Sequence, residues 1–242
     1  MASNLKGNKK MDLNQAKTQL ADEGYCVLED QLPADEVERL DALARPFMDH
    51  QEGYISMEGS LNQIPELAPL CIHPPVLALA EAVLGENFIL ANNIAMKWCK
   101  PGTKAGGLHS DWPLGSVPQP WPEFITGFQV FWMLTDFTAK NGATVVVPFS
   151  HHARRPPTPN RSYPQEIPVV GKKGSVFVFH NGLWHRSGAN TTHDRHRMAA
   201  NIFYIPWFIH RPRETWPLVK REIYERFPPR LQELLDRSVE SP

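Results

Sequence analysis

GSVFVFHNGLWHRSGANTTHDRHRMAANIFYIPW, residues 174–207, is the stretch that decides the fold. Ser175 to Phe179, after Gly174, form a short strand-like run. His180-Asn181-Gly182 reads as a turn, and Met198 to Trp207 is a second apolar run of strand length. Similar runs lie upstream at Phe88–Lys100, Gly127–Thr135 and Thr144–Val147, each bounded by Pro, Gly or Asn. Short strands at this spacing, with no helical segments between them, predict a β-sandwich or barrel and exclude alternating βα units.

The N-terminal third follows a different period. Leu13 to Glu23 reads as a helix stopped at Gly24, with Tyr25–Leu28 a short strand behind it. Pro33-Ala34-Asp35 opens a second helix running to about Phe47, with Val37, Leu40, Leu43 and Ala44 in period. A third follows His73-Pro74-Pro75 and stops at Gly85. Two proline-rich insertions, Trp112–Pro122 and Arg154–Pro168, interrupt the strand region as pocket walls or lids. The expected organisation is a disordered tail at 1–10 and a single domain at 11–242. Within that domain, 11–87 is helical, 88–207 is the β core, and 208–242 is a helical C-terminal tail containing the charged segment Trp216–Val239.

The 242 residues carry 25 Lys+Arg against 26 Asp+Glu, a formal net charge of −1. That balance lacks the basic excess of a nucleic-acid-binding surface. No apolar stretch approaches the roughly 18 residues of a membrane helix, and the opening MASNLKGNKK has no hydrophobic segment, so a cytoplasmic protein bound to neither nucleic acid nor membrane, monomer or homodimer, is expected. Three widely spaced cysteines exclude a disulfide framework and a thiolate zinc site, so any metal would be held by imidazole and carboxylate.

Such ligands occur in Leu108-His109-Ser110-Asp111. In extended chain, residues two apart share a face, so His109 and Asp111 can address one ion. His185 follows a strand and turn far downstream, the order expected of a two-histidine, one-carboxylate triad. Three ligands on one face of an octahedron leave three positions open, which suits Fe(II), a bidentate 2-oxo acid such as 2-oxoglutarate and O2. Fe(II), one Asp and 2-oxoglutarate together carry −1, so the far carboxylate of the cosubstrate needs a cation. Arginine's planar fork fits it. Arg197 opens the strand after His185, and Ser187 shares a face with His185.

At this point the chain resembles the phytanoyl-CoA dioxygenase (PhyH) family of non-haem Fe(II)/2-oxoglutarate oxygenases, from about Ala21 to Trp207. The resemblance rests on ADEGYCVLEDQLPADEVERL, HPPVLALAEAVLG, KPGTKAGGLHSDW, MLTDFTAKNGATVVVPFSHH and GSVFVFHNGLWHRSGANTTHDRHRMAANIFY. It implies a mainly β fold with flanking helices around a double-stranded β-helix (jelly roll, cupin-like) core. It also implies iron ligands His109, Asp111 and His185, and an arginine anchor with a serine beside it. The family usually places that arginine eleven residues past the distal histidine, where this chain has His196. A one-residue insertion in the 191–196 loop assigns Arg197, with Arg195 as the fallback. Matching DFTAKNG to the family places Phe131 and Gln129 on the inner face, against cosubstrate or substrate. The family's halogenases replace the carboxylate by a small residue, so Asp111 argues against halogenation.

Trp112, next to Asp111, is expected to face substrate. His151 is a candidate pocket wall, and Arg154 a candidate contact for an anionic substrate. His180, His193 and His196 read as structural or solvated. The predicted reaction is oxidation, by default hydroxylation, of an unactivated C–H of a small metabolite or natural-product intermediate, with 2-oxoglutarate and O2 going to succinate and CO2. Desaturation, cyclisation, demethylation or epimerisation would use the same residues. A non-catalytic ligand-binding β-helix is the alternative from another class, and a zinc hydrolase lacks its HxHxDH-type cluster.

Overall fold

The structure, a computed structural model, describes residues 12–48, 51–91, 93–210, 217–235 and 239–240. The tail expected at 1–10 lies outside them. Ten strands occur: β1 (Tyr25–Leu28), β2 (Tyr54–Glu58), β3 (Phe88–Leu90), β4 (Ala95–Cys99), β5 (Phe128–Met133), β6 (Thr144–Val147), β7 (Ile167–Pro168), β8 (Val176–His180), β9 (Trp184–Ser187) and β10 (Arg197–Pro206). The helices are α1 (Leu13–Asp22), α2 (Ala34–Met48), α3 (Pro74–Leu84), α4 (Arg221–Tyr224) and α5 (Pro229–Leu235).

The strands form two antiparallel sheets, one in the order β1-β8-β5-β10-β4-β2 with β3 also on β10, the other in the order β7-β6-β9. The central strands of the larger sheet, β8, β5 and β10, are buried on both faces, and period-2 alternation sorts their side chains. Met198, Ala200, Ile202 and Tyr204 of β10 join Val130, Trp132, Val176 and Val178 in an outer core with the helices. The intervening residues, among them Phe131, Met133, Phe177, Phe179 and Ala199, pack inward with Val146 of the smaller sheet. This is the mainly β, jelly-roll architecture that the strand runs and the resemblance predict.

Local chemistry sets the helix ends. The Asp12 carboxylate accepts from the Gln15 amide at 3.1 Å, capping α1, and Gly24 leaves it at φ +87°. α2 buries Val37, Leu40, Ala44 and Met48 along one stripe, and α3 starts on Pro74-Pro75 and stops at Gly85, φ +85°.

The segment at 11–87 is less helical than expected. β2 lies within it, an edge strand paired with β4 that sends Ile55 into the outer core. The run at 88–100 is two strands, both paired to β10 and separated where Ile94 takes φ +39°. Of the helical segment expected at 216–239, the described residues form two short helices, α4 and α5, with Pro228-Pro229 breaking the chain between them, and α5 packs back on β3. Among the described residues no single helix is long and apolar enough to cross a membrane.

Candidate active site

The main chain brings the HxD segment to β9. The His109 amide donates to the His185 carbonyl at 3.0 Å and the His185 amide returns the bond at 2.9 Å. Two residues on, the Asp111 amide donates to the Asn181 carbonyl at 2.9 Å, tying the carboxylate-bearing residue to the turn before β9. One nitrogen of each ring and one carboxylate oxygen then lie within 4.8 Å of one another. Nε2 of His109 is 3.8 Å from Oδ1 of Asp111, and Nε2 of His185 is 3.5 Å from Oδ2.

The rings are preset for a cation. Nδ1 of His109 lies 2.9 Å from the Gly107 carbonyl and Nδ1 of His185 2.9 Å from the Leu183 carbonyl. A carbonyl only accepts, so both Nδ1 atoms donate and both Nε2 lone pairs face the shared point. Burial pushes the His185 imidazole below its ordinary pKa, against the pull of Asp111, and so favours the neutral ligand form. Nitrogen, nitrogen and carboxylate oxygen on one side of an open cavity are a donor set that fits Fe(II).

That cavity, about 440 Å³, also receives Arg197, Ser187, Phe131 and Gln129. Arg197 is fully buried. Its Nε donates to the Gly142 carbonyl at 3.0 Å, while neither Nη has a hydrogen-bond partner among the described residues. The guanidinium carbon lies 5.2 Å from the Phe137 ring centroid and 5.6 Å from that of Tyr54. Arg195 is exposed and does not line the cavity. Ser187 Oγ accepts from the Gly106 amide at 3.2 Å, which leaves its own proton free to donate. Gln129 Nε2 donates to Oδ2 of Asp111 at 3.0 Å, and Gln129 Oε1 accepts from Asn201 Nδ2 at 2.7 Å.

Trp112, His151 and Arg154, the residues expected to meet substrate, are not among those lining this cavity. Trp112 packs edge-on against Phe203, centroids 6.2 Å apart, and Phe203 lines the cavity. His151 and Arg154 line a separate hollow of about 270 Å³ with Trp121, Phe124 and His180. The cause is the turn between two left-handed residues, Phe149 and Arg154. It folds His151 onto the end of α1, Nε2 2.9 Å from the Ala21 carbonyl, and sets Arg154 on Glu123 and the Trp121 carbonyl. His180 is held neutral, its pKa pushed down to about 3 by burial and by His151 and His152.

Sequence reading missed Lys97, Glu58, Asn201 and Phe203, which also line the cavity. Asn201 and Phe203 were accessible from parity, being four and six residues beyond Arg197 on one strand face. Lys97 stands on β4, whereas Glu58, paired with it at 2.7 Å, depends on the unanticipated β2.

Two antiparallel sheets around a His-Asp-His group that could hold a metal ion, with a buried arginine in the same cavity, define the jelly-roll class. The chain belongs to the phytanoyl-CoA dioxygenase (PhyH) family, whose profile matches residues 20–199. Dioxygenase af480 of Aspergillus fumigatus is 31% identical over 168 residues, covering 69% of this chain and 53% of that protein. Dioxygenase aneA of Aspergillus aculeatus is 29% identical over 209 residues, covering 79% and 69%. The chain thus spans about half the length of the first of these relatives. Among solved structures, the epimerase SnoN in complex with Fe3+, alpha-ketoglutarate and nogalamycin RO has a TM-score of 0.67 at 22% identity, covering 83% of this chain and 86% of SnoN. HygX from Streptomyces hygroscopicus with nickel and 2-oxoglutarate bound has a TM-score of 0.68 at 15% identity, covering 90% and 93%. At these identities the two structures establish the shared fold.

Proposed function

We propose that this chain is an Fe(II)- and 2-oxoglutarate-dependent dioxygenase that oxidises, by default hydroxylates, an unactivated C–H of a small metabolite or natural-product intermediate. The observation that carries the reading is that both Nη atoms of Arg197, in the cavity of the His109-Asp111-His185 group, have no hydrogen-bond partner among the described residues. A buried cation without a counter-ion is costly, and one carboxylate of a dicarboxylate cosubstrate would supply that counter-ion. The bound iron would supply the activation of O2, coupled to conversion of 2-oxoglutarate to succinate and CO2.

The protein's share is binding, orientation and dryness. Both Nη atoms of Arg197 would receive the distal carboxylate of the cosubstrate, and the Ser187 hydroxyl would donate to it. Phe131 and Phe203 give the cavity apolar wall, while His109, His185 and Asp111 hold the metal. Charge favours an uncharged substrate. Glu58 neutralises Lys97, and Glu166 neutralises Arg186, with nitrogen–oxygen distances of 2.7 and 2.6 Å. Arg197 offsets the −1 of the loaded iron site. That balance supports a small neutral metabolite over an acyl-CoA, whose phosphates need cations of their own.

The test is anaerobic titration of the Fe(II) protein with 2-oxoglutarate, followed by succinate detection across a panel of small metabolites. A visible charge-transfer band and substrate-stimulated succinate are expected. Absence of both would establish the non-catalytic ligand-binding alternative.

A further inference from the structure

We infer that Gln129, held in turn by Asn201, is a positioning residue that makes Asp111 offer its metal a single oxygen. This rests on the proposed function only in taking His109, Asp111 and His185 as the ligands.

The three side chains orient one another. A carboxylate only accepts, so Gln129 must present its amide nitrogen to Oδ2 of Asp111, which it does at 3.0 Å. Its Oε1 then faces Asn201, which must present its own nitrogen, and does so at 2.7 Å. Neither amide can flip without placing two donors or two acceptors together. Both residues are buried on adjacent strands, β5 and β10, which are paired along six residues of each, so the backbone beneath the relay is fixed. Asp111 itself stands on a loop, and the Gln129 bond is what ties its carboxylate to the sheet. Oδ1, by contrast, accepts no hydrogen bond from the described residues.

The consequence is a matter of coordination number. Three ligand atoms leave three of six positions, two for a chelating 2-oxo acid and one for O2. A carboxylate free to rotate and give both oxygens would occupy a fourth position and close the last one. Gln129 opposes that rotation by holding Oδ2. Its oxygen and one of its N–H bonds are therefore already engaged, whereas family resemblance alone placed it against cosubstrate or substrate.

The experiment uses the full chain with Co(II) as the probe, reading affinity by calorimetry and coordination by the intensity of the visible ligand-field bands. Gln129→Leu is expected to weaken Co(II) binding about 10- to 100-fold and to change band intensity. Asn201→Ala is expected to move both in the same direction by less, and to add nothing when combined with Gln129→Leu. Wild-type affinity and spectrum in Gln129→Leu would overturn the inference, as would additive effects in the double variant. Should Gln129→Leu not fold by circular dichroism, Asn201→Ala decides alone, and a wild-type spectrum there refutes the relay. His109→Ala separates the two readings: if it binds Co(II) normally the ligand assignment fails, whereas its loss alongside a normal Gln129→Leu sinks the relay only.

Discussion

His109 and His185 are joined twice through the main chain, the amide of each donating to the carbonyl of the other at 3.0 and 2.9 Å. The pair is one rung of an antiparallel ladder, so the two rings leave on one side, centroids 4.4 Å apart. Because the rung is backbone, removing either ring should leave it standing. His109→Ala and His185→Ala are expected to keep the wild-type far-ultraviolet circular dichroism and to lose the anaerobic Fe(II)·2-oxoglutarate band. A variant that retains the band would show that its histidine is not a ligand.

Arg197 is the group whose environment most needs a ligand. Its guanidinium is buried, with one bond to Gly142 and neither Nη hydrogen-bonded among the described residues. Truncating one partner of a buried charge pair costs about 2–5 kcal/mol, so Arg197→Ala is expected to raise the Kd for 2-oxoglutarate at least ~30-fold. Arg195→Ala, at an exposed position, should stay within about 0.5 kcal/mol of wild type. Calorimetry on both variants settles which arginine is the anchor, and a loss confined to Arg195→Ala would reverse the assignment.

Gly142 supports that arginine through its carbonyl, and only glycine fits there. Its φ is +88°, and an added Cβ would lie 2.3 Å from the Cys99 sulfur. Gly142→Ala is therefore expected to destabilise the protein by about 1–3 kcal/mol and to weaken 2-oxoglutarate binding, since Arg197 shares the displaced segment. Urea unfolding gives the first number and titration the second. Unchanged stability would mean that the Cys99 side relaxes without cost.

How much of this was legible in the sequence follows from the range of each interaction. Strand runs, the HxD spacing and the distal His185 are local patterns, and period-2 parity from Arg197 extends to Asn201 and Phe203. Edge strand β2 carries little apolar signal and owes its place to pairing with residues about 40 positions away. The placement of His151 was less accessible still, because its Nε2 meets the carbonyl of Ala21, 130 residues earlier. Nothing in the Pro148–Arg154 stretch encodes that contact, so the sequence offered a structural role or a pocket wall for His151 without the means to choose its partner.

His180 lies behind the turn that carries Asp111 and makes acid stability a test of the same region. Its Nδ1 accepts from the Gly182 amide at 2.8 Å, and burial among His151 and His152 pushes its pKa down to about 3. A histidine depressed in the fold binds its proton more readily when unfolded, where the pKa is about 6.5. The stability contribution is thus fully present above about pH 6.5 and is lost as pH falls toward 3. His151 and His73 are shifted the same way by burial and add to the trend. His180→Asn keeps an acceptor for Gly182 and removes the titration. Between pH 7 and pH 5 the wild-type protein is expected to lose about 1–2 kcal/mol more unfolding free energy than this variant. Parallel stability curves for the two proteins would show that the ring is solvated enough to take up its proton in the folded state.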